Sequence, residues 1–454
     1  MSPISRIFIA NRGEIALRII RSCRELGIES VVGVSEADQD SLPAKMADRA
    51  VCIGPARAQE SYLKVETIVC AALGTGADAI HPGYGFLAEQ PDLPRICKEH
   101  GLAFIGPPEK CIKEMGNKLL ARKIVSDQGV PVIPGSGNVR NVKEAVEAAS
   151  EIGFPVIMKA AAGGGGRGIK IVRNAGEIQT VFDTSSAEAR VAFGDDALYI
   201  EKYIPLARHI EVQILADQMG NVIHLGERDC SLQRRYQKMI EEAPAPFLSE
   251  DLKQEIRRAG VSIARSIGYQ SAGTVEFILD KETNKFYFLE MNTRIQVEHP
   301  VTEMISGIDI VQEQIRVAAG SPLSLSQANV PLAGHAIECR VTAEDPERNF
   351  LPMPGRLLDW KCPEGEGIRV DTHCFPGYSV PPFYDSLLAK VITKGEDREE
   401  AIQRMKHAMG NFVVSGVHTA IPFLRFVLNR EEYRNGDVHT KWMESVLEHA
   451  YSGK

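Results

Sequence analysis

Residues 286–303, FYFLEMNTRIQVEHPVTE, constrain the fold more than any other part of this chain. The first half alternates large apolar residues as a buried strand does, and the second half carries Glu290, Asn292, Arg294, Gln296, Glu298 and His299. Residues two apart in an extended chain share a face. Glu290, Asn292, Arg294, Gln296 and Glu298 are therefore expected on one side, and Met291, Thr293, Ile295 and Val297 on the other. An amphipathic strand with a solvated face explains alternation alone. The mixture of oxygen ligands, a guanidinium and a spare carboxylate instead points to a phosphate or carboxylate site.

The strand pattern at 274–279 carries Glu276, and the turn KETN sends the chain back, so Glu276 is expected opposite Glu290 or one place off. Two facing carboxylates repel unless a cation lies between them or one is protonated. With Asn292 close by, these hard oxygen ligands fit Mg²⁺ on nucleotide phosphates; salt bridges to lysine or arginine are the competing explanation.

Residues 154–172, FPVIMKAAAGGGGRGIKIV, set Gly163, Gly164, Gly165 and Gly166 between two strand-like runs. Backbone N–H groups free of side chains can wrap a polyphosphate. The run lacks the GK[ST] and following helix of a P-loop. It reads as a hairpin tip able to close as a flap, with Lys159 and Arg167 adding charge, or as a flexible linker. The strand at 197–204 carries Glu201 and Lys202 and suits a hinge holding a nucleotide base. A helical run from about residue 112 holds Asn117, Lys118, Arg122 and Lys123, cations read mostly as solvated. Arg228, Arg234, Arg235 and Lys238, within 226–244, form the densest cationic cluster, either a solvated loop or a local anion site.

Over residues 6–105, strands alternate with helices, which implies a parallel, doubly wound sheet. The first turn, ANRGE, lacks the dinucleotide fingerprint GxGxxG. The segment HPGYGF follows a strand end, where such sheets bind ligands, and reads equally as a glycine turn. A net charge of −8 argues against nucleic acid and anionic membrane as partners. Nine cysteines without CxxC spacing read as reduced apolar residues. With no signal peptide and no span of about 20 apolar residues, a cytoplasmic placement is expected.

The ordered motifs IANRGEIALRII, HPGYGFL, MGNK, KAAAGGGGRG, ERDCSLQRRYQK, EEAPAP, EMNTRIQVEHPVTE and GHAIECRV closely resemble those of biotin carboxylase, an ATP-grasp component of biotin-dependent carboxylases. The resemblance spans essentially the whole chain. It implies an α/β protein, α+β in part: an N-terminal doubly wound domain (1–112), an ATP-grasp domain (113–334, lid at about 131–203) and a mixed α/β C-terminal domain (335–446). Lys118 and Lys159 match nucleotide-phosphate contacts, and Gly163, Gly164, Gly165 and Gly166 the flap. Glu201, Lys202 and Ile204 match the adenine-side hinge, with His209 and Gln233 near the nucleotide. Glu276, Glu290 and Asn292 match Mg²⁺ or Mn²⁺ positions. Lys238, Arg294, Gln296 and Val297 match the bicarbonate pocket, Glu298 the base that deprotonates bicarbonate, and Arg340 the residue that steadies biotin's enolate; Tyr84 lies near biotin. Tyr236 departs from the histidine that many relatives carry.

The expected reaction carboxylates biotin on a biotin carboxyl carrier protein or domain, using ATP and bicarbonate, with a carboxyltransferase as further partner. No biotinyl-lysine motif is seen, so biotin is expected as carrier-bound substrate and the chain as a stand-alone subunit; the resemblance implies a homodimer. Two alternatives are another ATP-grasp carboxylate–amine ligase and a nucleotide-binding regulatory subunit without turnover. The identity of the final acceptor, whether acetyl-CoA, propionyl-CoA, pyruvate or 2-oxoglutarate, is not encoded here.

Overall fold

The computed structural model describes residues 4–160, 170–194 and 196–451. The expected flap residues Gly163, Gly164, Gly165, Gly166 and Arg167 lie outside them.

The N-terminal alternation folds as predicted. Five parallel strands stand in the order Arg49–Cys52, Glu29–Val34, Arg6–Ile9, Ala79–His81, Ala103–Phe104. The helix Gly13–Glu25 buries Ile15, Ile19, Ile20 and Cys23 against this sheet, the 3.6-residue stripe seen in the sequence. The strand order reverses around Arg6–Ile9, so a crevice opens at the carboxyl ends of that strand and of Ala79–His81. Tyr84 follows immediately and lines the site described below.

An eight-stranded antiparallel sheet forms the centre. Its order is Phe286–Asn292, Ser271–Asp280, Ala207–Ala216, Val222–Arg234, Gln237–Ala243, His335–Thr342, Leu387–Gly395, Ile368–Thr372. The expected boundary at 334/335 thus falls between strands of one continuous sheet. The helix Glu250–Ser266, capped by the Ser249 hydroxyl, covers one face with Ile256, Ile263 and Ala264. A small sheet of Val156–Ala160, Lys170–Val172 and Leu198–Lys202 has its own core with two helices, of which Val142–Ile152 is capped by Asn141 as expected. All nine cysteines are free, and no helix among the described residues is long and apolar enough to cross a membrane.

Two expectations need correction. The charged segment 226–244, whose Arg234 and Lys238 line the site described below, is not a solvated loop. It is two long strands, turning at Arg235 and Tyr236, whose φ values of 48° and 66° permit the tight reversal. Arg228 is entirely buried, because Glu211 and Gln213 across the sheet and Gln296 beyond its edge satisfy its guanidinium. Second, strand geometry stops at Asn292. Residues 293–298 are irregular and lead into the helix His299–Ser306, so the one-face argument holds only for Glu290 and Asn292. Beyond them it is the path of the bend that brings polar side chains back to the same cavity.

Candidate active site

Register places a row of charge across four strands. Glu290 stands opposite Glu276, Glu276 opposite Glu211, and Glu211 opposite Arg228. Directly opposed residues share a face of the sheet, and the Glu276 and Glu290 end of this row lines the cavity described next. Lys238, from the next strand, reaches over it. Its Nζ donates to Glu211 Oε2 (2.6 Å), Glu276 Oε1 (2.9 Å) and Glu298 Oε1 (2.6 Å).

Every described residue of the predicted site set lines a single cavity of about 630 Å³, with one exception. The exception is Glu201. Its carboxylate turns away, taking an ion pair from Arg122 and a hydrogen bond from Lys159 Nζ at 2.5 Å. Lys202 donates to the carbonyl of Gly153 at 2.8 Å and still lines the cavity.

At one end of the cavity, His209 Nε2 lies 3.0 Å from Glu276 Oε2, while its Nδ1 pairs with Gln233 Nε2 at 2.8 Å. Burial works against a charged His209, but Glu276 outweighs it and raises the imidazole. Burial alone would raise Glu276, yet Lys238 and His209 hold it well below the usual carboxylate range. Glu290 is raised, first by burial and then by Glu276, with Lys118 offsetting part of this. Among the described residues Glu290 has no ion-pair partner within 4.0 Å, and the Asn292 amide nitrogen is buried without an acceptor. This divided pair of facing carboxylates beside an amide fits a hard divalent cation with oxygen ligands. His209, Glu211 and Glu276 also bring ligand atoms within 4.8 Å of one another.

At the other end, Arg340 donates through Nε to Glu241 Oε1 (2.6 Å) and through Nη2 to Glu298 Oε2 (2.9 Å). Burial by itself would raise Glu298, but Lys238 and Arg340 outweigh it and lower the carboxyl. Glu298 is therefore an ionised, dehydrated base held between two cations. Gln296 bridges the halves, donating to Glu276 Oε1 (2.8 Å) and accepting from Arg228 Nη2 (2.6 Å). Arg294 donates to Glu89 Oε2 (2.9 Å) and Asn292 Oδ1 (2.8 Å). The Val297 carbonyl accepts from Lys390 Nζ at 2.9 Å, and Tyr84 donates to Glu14.

Four residues were missed or misread. Glu211 carried a legible signal: His209, Glu211 and Gln213 alternate with Ile210, Val212 and Ile214, the same polar-face pattern that marked 286–292. Arg228 was seen as a cation but not as the buried counter-charge of Glu211. Glu89 and Lys390 meet the site only through long-range folding, and nothing local marks them. Tyr236 lies on the rim, 41% exposed, with Lys441 Nζ 4.3 Å from its ring centroid.

Comparison with known proteins shows the family of the chain. Residues 3–112 match the family model "Biotin carboxylase, N-terminal domain", 117–326 "Carbamoyl-phosphate synthase L chain, ATP binding domain", and 338–445 "Biotin carboxylase C-terminal domain". Biotin carboxylase 1 of Bacillus subtilis is 53% identical over 97% of this chain and 98% of its own length. A pyruvate carboxylase subunit of Methanothermobacter thermautotrophicus is 49% identical over 97% of this chain and 89% of its own. The Campylobacter jejuni biotin carboxylase complex with β-γ-ATP superposes with a TM-score of 0.95 at 47% identity, covering 97% of this chain and 99% of that one. The biotin carboxylase domain dimer of Hydrogenobacter thermophilus 2-oxoglutarate carboxylase, bound to MgADP, ADP and bicarbonate, superposes at 0.94 with 47% identity, covering 99% of each chain. With three family models in order and half the residues identical over nearly its full length, this chain belongs to the biotin carboxylase family.

Proposed function

We infer that this chain carboxylates biotin presented on a separate carrier, consuming ATP and bicarbonate and releasing ADP and phosphate. The single observation that carries the reading at residue level is Lys238. One ammonium ties the carboxylate row facing the nucleotide end to the base Glu298, which shares Arg340 at the other end.

Bicarbonate is a weak nucleophile, and Glu298 takes its proton as it attacks. Lys238 and Arg294, with Gln296 and the backbone of Val297, hold the anion in line with the γ-phosphate, so positioning supplies much of the rate. Glu276, Glu290 and Asn292 would hold Mg²⁺, which when bound neutralises the triphosphate. Lys118 and Lys159 face the phosphates, while Lys202, Ile204, His209 and Gln233 line the nucleotide end. The products of attack are carboxyphosphate and ADP. Breakdown of carboxyphosphate gives CO₂ and phosphate inside the cavity. Phosphate then removes the biotin N1′ proton, Arg340 stabilises the enolate oxygen, and N1′ captures CO₂.

We further propose a cytoplasmic subunit, homodimeric as a dimeric relative suggests, served by a biotin carboxyl carrier protein and a carboxyltransferase. Because the relatives include proteins named for both pyruvate and 2-oxoglutarate carboxylases, we assign choice of the final acceptor to that partner. The test is bicarbonate-dependent ADP release with and without biotinylated carrier. Release that rises with carrier, together with transfer of labelled bicarbonate to biotin, supports the reading. Release indifferent to biotin in any form overturns it.

A further inference from the structure

Behind Arg340 lies a buried group with no role in the reaction as described. Glu338, two residues before Arg340 on the strand His335–Thr342, is fully buried, and among the described residues neither of its carboxyl oxygens has a hydrogen-bond partner. Its direct neighbour across the sheet is Glu241. Glu241 is also fully buried and accepts from Arg340 at Oε1, while its Oε2 has no partner among the described residues. Opposed residues in an antiparallel pair bring their Cβ atoms to about 5 Å. Two unpartnered acceptors therefore sit side by side.

The nearby cations are engaged elsewhere. Lys390, opposite Arg340 on the next strand, gives Nζ to Glu14 Oε1 and the Val297 carbonyl. Arg340 itself faces Glu241 and Glu298. The helix His299–Ser306, packed over these strands, brings His299 and Glu303, and neither donates to Glu338. A buried carboxylate without a donor is among the costliest groups a protein can hold. One proton removes the cost for both residues at once, since a protonated carboxyl donates to its neighbour and keeps its other oxygen neutral.

We propose that Glu338 is a protonated acid that donates its proton to Glu241, and that this pair positions Arg340 for the biotin half-reaction. The arrangement leaves Glu241 with a single negative charge, enough to orient the guanidinium without drawing it from Glu298 and the substrate. Burial raises both carboxyls, Glu241 to about 7 and Glu338 well above the ordinary value, with Arg340 and Lys390 respectively offsetting part of the rise. Loss of the shared proton at alkaline pH puts a second negative charge beside Arg340. The guanidinium then turns toward the pair, and biotin carboxylation slows. The role of Arg340 rests on the function inferred above, but the proton itself does not.

Infrared spectroscopy of the resting enzyme tests the proton independently of activity. The parent should show the C=O stretch of a protonated, buried carboxyl that fades as pH rises and is absent from E338Q. If no such band distinguishes parent from variant, the proposal is overturned even when turnover is normal. The pH profile tests the positioning role. E338Q keeps a donor toward Glu241, so kcat near neutrality should stay within about threefold of the parent. Its alkaline limb should move up by about one pH unit or more, with E241Q losing activity across the range. An unchanged alkaline limb in E338Q overturns the positioning role.

Discussion

The ammonium of Lys238 lies 2.6 Å from the carboxylate of Glu298, and in the proposed function the two share the bicarbonate site. The cation keeps the base ionised before substrate arrives. Replacing Glu298 with Gln leaves shape and packing intact and removes only the proton acceptor. Turnover should fall by about 10²–10⁴-fold, with nucleotide affinity, read by calorimetry, unchanged within a few-fold. Glu298 is lowered in the folded protein, so its stabilising ion pairs are present above the unfolded carboxylate value and fade only as pH falls through the lowered one. Equal turnover in E298Q would remove Glu298 from the mechanism.

Arg228 has 0% exposure and spends its guanidinium on Glu211, Gln213, Thr302 and Gln296. R228M should destabilise the protein by about 3–5 kcal/mol, because Glu211 is left as a buried, half-paired charge. Adding E211Q to R228M should recover part of that loss in denaturant melts. A double mutant no more stable than R228M would show that the pairing is not what the arginine contributes.

Glu290 faces Glu276 across the sheet, and burial and that neighbour both raise it. A raised carboxyl favours the protonated folded state, so keeping it ionised costs stability increasingly as pH climbs above the unfolded value. Ligand-free E290Q should therefore be more stable than the parent at pH 7–8, by about 0.5–1 kcal/mol. It should also lose most of the thermal shift that Mg²⁺ and ADP together give the parent. Paired melts with and without magnesium nucleotide decide the matter, and an undiminished shift in E290Q rules out Glu290 as a ligand.

Glu89 comes from the N-terminal domain and holds Arg294 at 2.9 Å. E89A should leave nucleotide binding intact but loosen the arginine over the proposed bicarbonate site. We expect about a tenfold higher KM for bicarbonate with a smaller change in kcat, the split that separates anion positioning from chemistry. A fall in kcat at unchanged KM would place Glu89 elsewhere.

Elements set by local periodicity were legible from the chain alone. The helix Gly13–Glu25 and its neighbouring strands follow from apolar spacing, and the Asn141 cap from a side chain that bonds the Glu144 N–H at 2.9 Å. Glu276 opposite Glu290 followed from a short turn, because a hairpin fixes its own register. The alternation 286–292 likewise announced a polar face. Those signals act over a few residues, and the sequence by itself determined them.

The tertiary structure decided the rest. Whether Arg228 met water or Glu211 depended on which strands became neighbours, and a central position in an eight-stranded sheet left no solvent for it. Strand geometry ends at Asn292, so Arg294, Gln296 and Glu298 reach the cavity through a bend that alternation does not encode. Glu89 and Lys390, 205 and 93 residues from their partners Arg294 and Val297, enter only when separate parts of the chain close on one site. A buried charge is stable only where counter-charges converge on it, and that convergence is a property of the assembled fold.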